Sequence, residues 1–193
     1  FKAMPLDQLP DFMKALSEVK GVGARALEFA ILTAARSNEV RGATWDEIDT
    51  QNNIWTIPAD RTKTGQELRV PLNDAMIEVL NKTPRMYENP LVFPGPRGRQ
   101  LSENAMGKLI RDMGYEGTAH GMRSTFRDWC AERTNYANEV IEKALGHKTK
   151  NEVEAAYRRT DMLEKRRSLM RDWASYCAGD ESAQGEVIHA DFR

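Results

Sequence analysis

The spacing of apolar residues predicts that helices open the chain. Two sets recur at intervals of three and four: Leu9, Phe12, Met13 and Leu16 in the first, and Leu27, Ala30, Ile31 and Ala34 in the second. Each set falls on one face of a helix. The glycines of Gly21-Val22-Gly23 predict a break between these two amphipathic helices.

Two short runs rich in β-branched and aromatic residues predict a β-hairpin. Residues 54–57 and 67–70 lie on either side of Thr64-Gly65, which is typical of a turn, and Lys63 stands near its tip. Residues 91–93 predict a further short strand. The rest of the pattern is mostly helical, so the expected fold class is α+β, mainly α-helical, with a small antiparallel hairpin or sheet.

Several polar side chains stand at defined points of the predicted helices. His120 and Arg123 are three residues apart and share a face away from their helix's apolar stripe. Gly146 is suited to end the next helix as a left-handed cap, which leaves His147 just beyond it. A capping pattern at residues 149 and 152 predicts another helix, with Tyr157 about two turns in. A last apolar stripe predicts a helix over residues 162–177.

The composition is that of one globular domain. The chain has 193 residues, 40% hydrophobic and 30% charged. No apolar run approaches the roughly 20 residues needed to cross a bilayer, so no membrane partner is expected. Cys130 and Cys177 lie in apolar patterns and are expected to be buried, reduced thiols of a cytoplasmic protein. Because the chain starts at Phe1 without a signal pattern, we expect a piece of a longer protein.

A change of composition near the C-terminus predicts a domain boundary. Residues 179–185 are small and polar, as in a linker, and residues 187–190 predict a small strand. We therefore expect a main domain over residues 1–178 and a linker and tail over residues 179–193.

The charge pattern leaves a nucleic-acid partner open. A net charge of -1 argues mildly against it, since most such domains are basic. Basic residues are nevertheless clustered: at Arg97 and Arg99, at Arg123 and Arg127, at Arg158 and Arg159, and over residues 165–167. Such clusters form either a local basic face or ordinary solvated helix surfaces.

The side-chain types in this order suit cleavage of a phosphodiester by a tyrosine. Arg36 and Arg123 are permanent, bidentate cations that can clamp the nonbridging oxygens. The phenol of Tyr157 can attack when a base or a cationic field activates it. His120 can accept that proton, and Lys63 can protonate the departing sugar oxygen. The sequence offers no plausible metal cluster and implies no cofactor.

Each of these residues also has an ordinary structural explanation. A His and an Arg three apart on a helix are common, and Tyr157 suits a half-buried helix position. Lys63 in a turn is usually just solvated. Arg36 and Glu39 suit a surface ion pair worth on the order of 0.5 kcal/mol. The order of the set, together with the local sequence, favours the chemical interpretation.

The local sequence resembles the tyrosine recombinases, most closely the integrases of phages and genomic islands. The resemblance rests on five segments: Thr33–Val40 with Trp45–Asp49, Arg61–Gly65 with Val70–Leu72, His120–Phe126, Leu145–His147, and Ala156–Arg159. It extends over about residues 6–176. Ala34 and the segment Glu67–Arg69 depart from the family pattern, but neither departure removes a catalytic group.

The resemblance implies a catalytic-domain fold and a role for each residue. Tyr157 would form a 3′-phosphotyrosine link. Arg36, Arg123 and His147 would hold the phosphate, Lys63 would be the general acid, and His120 would assist proton transfer. Glu39 would support the first arginine.

The resemblance also implies partners and leaves alternatives. It implies double-stranded DNA attachment sites, a homotetramer on DNA at full length, a monomer for this piece, and DNA-bending accessory proteins. The N-terminal core-binding and arm-binding domains of such proteins are absent from this sequence. The alternatives are a type IB topoisomerase-like relaxing enzyme and a noncatalytic DNA-binding module.

Overall fold

The computed structural model describes residues 1–147 and 160–180. Over these residues the helices are α1 (Leu9–Glu18), α2 (Val22–Thr33), α3 (Ser37–Arg41), α4 (Asp74–Asn81), α5 (Ala105–Asp112), α6 (Gly121–Arg133), α7 (Asn138–Ala144) and α8 (Leu163–Cys177). The strands are β1 (Ile48–Asp49), β2 (Ile54–Ile57) and β3 (Leu68–Pro71). The expected class, mainly helical with a small antiparallel sheet, is confirmed.

Helix α2 is the centre of the core. Its residues from Ala24 to Thr33 are all buried, and it packs against α1, α4, α5 and α8. Ala34 ends the helix in the left-handed conformation, with a φ of 51°. The predicted second helix therefore stops one residue before Ala34, and the chain turns there toward Arg36.

The three strands form one antiparallel sheet in the order β1-β2-β3. The predicted hairpin is confirmed, with Trp55 opposite Val70 and Ile57 opposite Leu68. Strand β1 was not predicted because it has only two residues, too few for a pattern of alternation. Asn73 caps α4, and its Oδ1 accepts the Met76 N–H at 3.1 Å.

The predicted strand at residues 91–93 is wrong. Leu91 forms only an isolated bridge with Thr44, and the Val92 N–H donates to the Ala43 carbonyl at 2.8 Å. Val92 and Phe93 are fully buried. Their apolar character therefore reflects burial in a loop that crosses the core, which a short apolar run cannot distinguish from a strand.

An aromatic cluster joins α6 to α8. Trp129 and Trp173 lie with ring centroids 5.1 Å apart, and Phe126 meets Trp173 edge to face at 5.2 Å. The Trp173 indole N–H donates to the Ile31 carbonyl at 2.8 Å, which ties α8 to α2. Cys130 and Cys177 are buried and unpaired, as expected.

Within residues 1–147 and 160–180, the helices are too short or too polar to span a membrane. The predicted helix over residues 149–157 and the predicted strand over residues 187–190 lie outside the described residues.

Candidate active site

Arg36 is held by the carboxylate of Glu39. Arg36 stands at the N-cap of α3, and its backbone N–H donates to Glu39 Oε2 at 2.8 Å. Its side-chain Nη1 donates to the other oxygen at 2.9 Å. The exposed fractions of the two side chains are only 11% and 0%. This pair is therefore buried, which removes the surface ion pair as an explanation of the two residues.

Arg123 lies in the interior between the ends of two helices. Its side chain is buried on α6, and Nη1 donates to the Ala34 carbonyl that follows α2. Nη2 donates to the Leu145 carbonyl at the end of α7, at 2.7 Å. A buried arginine needs acceptors for its N–H groups, and two helix ends supply them here.

The turn after α7 brings the two arginines together. Gly146 has a φ of 59°, which confirms the predicted left-handed cap. Its carbonyl accepts Arg36 Nη2 at 3.3 Å, next to the Leu145 carbonyl that accepts Arg123. Arg36 and Arg123 therefore converge on one corner of the fold, although 87 positions separate them in the sequence.

His147 completes this corner. Its Nε2 lies 3.3 Å from Arg123 Nη2, and its Nδ1 lies 2.8 Å from Glu142 Oε2. Arg127 Nη1 reaches the other oxygen of Glu142 at 3.1 Å. Sequence reasoning missed Glu142. The signal available for it was a carboxylate five residues before His147, across the predicted helix end.

His120 lies at the N-cap of α6, at the edge of the same cationic group. Partial burial lowers the pKa of His120 below 6.5, and the charges of Arg123, Arg36 and Lys63 lower it further. These effects favour the neutral form of the His120 imidazole. A neutral ring beside fixed positive charges can accept a proton.

Lys63 projects from the turn between β2 and β3 and is exposed. The adjacent Thr62 is buried, and its Oγ1 accepts the Gln66 N–H at 3.2 Å. At the base of the turn, Arg61 donates to the Glu39 carbonyl at 3.1 Å and pairs with Glu47. Arg61 and Glu47 lie within two of the segments that carry the family resemblance, but no role was predicted for either residue. They fasten the lysine turn to the Arg36 region.

Electrostatics distinguishes this cluster from an ordinary surface. Burial, together with the nearby charge of Arg36, lowers the pKa of Arg123 to about 10, while Glu39 and Glu142 oppose the shift. Arg123 is still protonated at neutral pH. Two adjacent guanidinium groups whose positive charges are only partly offset by nearby carboxylates favour the binding of an anion between them.

Residues 2–164 of the sequence match the family model described as "Phage integrase family". The chain belongs to the phage integrase family. The matched segment contains all the site residues predicted from the sequence, including Tyr157. The predicted resemblance to tyrosine recombinases is thereby confirmed.

Individual relatives agree with this assignment. The integrase of Enterobacteria phage P4 is 33% identical over 198 aligned residues, which cover 91% of this chain and 45% of that integrase. The chain thus spans less than half the length of this relative.

Solved structures share the fold. XerA recombinase superposes with a TM-score of 0.64 at 19% identity, covering 76% of this chain and 56% of that one. A lambda integrase tetramer bound to a Holliday junction gives a TM-score of 0.58 at 20% identity, covering 78% and 48%. The integrase-family fold expected from the sequence is therefore confirmed.

The remaining predicted residue of this phage integrase family member, Tyr157, lies outside the described residues. The described chain resumes at Thr160. Asp161 is then held by Arg69 Nε of β3 at 2.9 Å and by Arg166 Nη2 of α8 at 3.0 Å. Among the described residues on either side of Tyr157, His147 and Asp161 are thus both held by side-chain contacts.

Residues 1–147 and 160–180 contain no group of three His, Cys, Asp or Glu side chains placed to hold a metal ion.

Proposed function

We propose that this chain is the catalytic part of a site-specific DNA recombinase of the integrase type. It cleaves and rejoins DNA through a 3′-phosphotyrosine intermediate and so integrates or excises a mobile element. The observation that carries the proposal is the convergence of Arg36 and Arg123 on the turn that presents His147. Residues 1–178 form the catalytic unit in this proposal, and residues 179–193 form a linker and tail.

The arginines stabilise the reacting phosphate. A phosphodiester under attack gains negative charge on its nonbridging oxygens, and fixed cations aimed at these oxygens stabilise that charge. Arg36 and Arg123 are pre-positioned by Glu39 and by helix-end carbonyls. Little reorganisation is then needed during the reaction. His147 adds a third group beside Arg123.

The groups around Arg36, Arg123 and His147 carry out the proton transfers. Tyr157 attacks the phosphorus and loses its phenolic proton, which the neutral His120 accepts. Lys63, on its anchored turn, donates a proton to the departing 5′ sugar oxygen. The resulting phosphotyrosine ester retains the energy of the broken bond, so a DNA hydroxyl can reverse the step without a cofactor or a metal ion.

The substrate and assembly follow from the same proposal. The substrates are double-stranded DNA attachment sites in the cytoplasm, and DNA-bending proteins assist at full length. The structure of a lambda integrase tetramer on a Holliday junction supports a homotetramer for the full-length protein on DNA. This piece alone is expected to be a monomer.

Covalent trapping tests the function. The chain is incubated with a library of duplexes that have randomised sequence and a nick near the centre. After cleavage beside the nick, the short leaving strand diffuses away, and its loss prevents religation. We expect a denaturant-resistant, protease-sensitive adduct. Mass spectrometry of the linked peptide should identify Tyr157, and Tyr157→Phe should abolish the adduct.

The outcome of the trapping experiment distinguishes the proposal from its alternatives. Adducts on a restricted set of sequences, without relaxation of supercoiled plasmid, favour a recombinase over a type IB topoisomerase-like enzyme. Absence of an adduct from every duplex that the chain binds would favour the noncatalytic DNA-binding module. An adduct through another residue would contradict the role of Tyr157.

A further inference from the structure

We infer that Glu142 is a positioning residue for His147. Its carboxylate determines which ring nitrogen of His147 faces the scissile phosphate. The inference rests on the proposed function and deepens it. Glu142 lies on α7 and His147 follows the turn at its end. The Glu142 Oε2 to His147 Nδ1 distance of 2.8 Å is that of a well-formed hydrogen bond.

The chemistry of the pair fixes the proton. An ionised carboxylate can only accept hydrogen bonds, so Nδ1 of His147 must carry the hydrogen. Nε2 is then the nitrogen on the side of the arginines, 3.3 Å from Arg123 Nη2. A neutral ring accepts a hydrogen bond there. A phosphate oxygen can only accept hydrogen bonds, so His147 donates to it only with a hydrogen on Nε2, while the Glu142 carboxylate continues to accept from Nδ1.

Two arginines of helix α6 contact the Glu142–His147 pair, one at each residue. Arg123 and Arg127 are four residues apart and therefore share one face of the helix. Arg123 meets Nε2 of His147, while Arg127 meets the second oxygen of Glu142 at 3.1 Å. The backbone fixes the spacing, because the His147 N–H donates to the Glu142 carbonyl at 3.0 Å. Oε2 of Glu142 is therefore the oxygen that bonds His147, while Oε1 lies within ion-pair distance of Arg127 without forming a hydrogen bond.

A purely structural role for Glu142 does not account for this geometry. The Arg127 side chain is 53% exposed and that of Glu142 is 26% exposed, and exposed ion pairs contribute little to stability. Loss of the carboxylate should therefore change the folded fraction only slightly. Its effect should appear in how His147 serves the reaction, as it does for groups that orient a reacting histidine.

The test compares Glu142→Met, which removes the acceptor at similar size, with Glu142→Gln, which keeps a neutral acceptor. The whole chain and the nicked duplexes that trap the wild-type adduct are used. We expect Glu142→Met to slow adduct formation on the order of 10- to 100-fold, with unchanged DNA affinity. Glu142→Gln should recover part of that loss. Glu132→Met is the matched control, because Glu132 is an exposed carboxylate on α6, and it should react at the wild-type rate.

A second readout does not depend on activity. Nitrogen-15 NMR of the His147 ring reports which nitrogen bears the hydrogen, and His147→Gln assigns the signal among the three histidines of the chain. We expect Nδ1–H in the wild type and a shift toward Nε2–H in Glu142→Met. If the wild type forms no adduct, the proposed function fails and this spectrum still tests the pair. An unchanged tautomer in Glu142→Met, or an adduct rate within about threefold of the wild type, overturns the inference.

Discussion

At the scale of single residues, backbone carbonyls at helix ends hold the site together. The unpaired carbonyls at a helix C-terminus carry partial negative charge and attract cations. Arg123 uses the carbonyls of Ala34 and Leu145, and Arg36 uses that of Gly146. These contacts, with the Glu39 carboxylate, offset the cost of placing two guanidinium groups near each other. The site therefore depends on backbone geometry as much as on charged side chains.

Gly146→Ala tests this dependence. Gly146 has a φ of 59°, and an added Cβ would lie 2.8 Å from Leu68 Cδ2 and 3.4 Å from Arg36 Nη1. The left-handed conformation costs a non-glycine residue roughly 1–2 kcal/mol, and the added methyl group pushes Leu68 and Arg36 away from the turn. We expect a loss of stability of about that size in urea unfolding, and adduct formation at least tenfold slower.

Gly114→Ala is the control for backbone strain. Gly114 also has a positive φ, of 82°, but an added Cβ would meet open space. We expect a similar loss of stability and unchanged adduct formation. Equal losses of activity in the two variants would show that the position of the Gly146 carbonyl does not matter to the site.

At the scale of elements, the site is assembled from the ends of helices and from a turn. The sequence predicts such an end well where one residue type marks it, as Gly146 does after α7. It cannot predict that the ends meet, because periodicity reports one element at a time. The convergence of Arg36 with Arg123 was available only from family resemblance.

Other features were missed for different physical reasons. Strand β1 is too short to alternate, and Val92 and Phe93 are apolar because a loop is buried. Glu142 was missed because its partners are decided by the fold: Arg127 lies on another helix, and His147 lies beyond a turn. The five-residue spacing of Glu142 from His147 is visible in the sequence, but spacing across a helix end does not by itself identify a hydrogen bond.

Asp161 joins β3 to α8 and should be important for stability. Burial alone raises the pKa of Asp161, but the hydrogen bond from Arg69 and the charges of Arg166 and Arg69 together hold that pKa below its ordinary value. Arg166 is almost fully buried, and Asp161 is its carboxylate partner. We expect Asp161→Asn to lose about 1–2 kcal/mol in urea unfolding at pH 7, because a buried cation loses its counter-charge.

The pH dependence of that loss has a definite sign. A carboxylate whose pKa is lower in the folded state stabilises the protein above its unfolded value of 3.8 and loses this effect as the pH falls through the folded value. The gap between wild type and Asp161→Asn should therefore be constant from about pH 5 to 8 and close in stronger acid. Glu164→Gln is the control, since Glu164 forms an exposed pair with Arg167. A gap that persists in acid would mean that lost packing, and not charge, destabilises Asp161→Asn.

At the scale of the whole molecule, the elements that carry the site share one core. Helix α2 leads to Arg36, α6 carries Arg123, and α8 follows Asp161, while Trp173 of α8 contacts both α6 and α2. Opening any one of these helices would expose the aromatic cluster. Unfolding should therefore be a single cooperative transition, as is usual for small domains.

The two cysteines report on this cooperativity. Burial raises the pKa of Cys130 on α6 to about 12 and raises that of Cys177 on α8 well above 9.0. Only the thiolate reacts with alkylating reagents, so both residues should be protected in the native state. In pulsed alkylation with iodoacetamide across a urea series, we expect both to become labelled over the same range in which circular dichroism reports unfolding. The single-thiol variants Cys130→Ala and Cys177→Ala separate the two signals. Labelling of Cys177 at clearly lower urea would show that α8 separates before the core opens, and Asp161 would then not be a fixed point beside the segment that carries Tyr157.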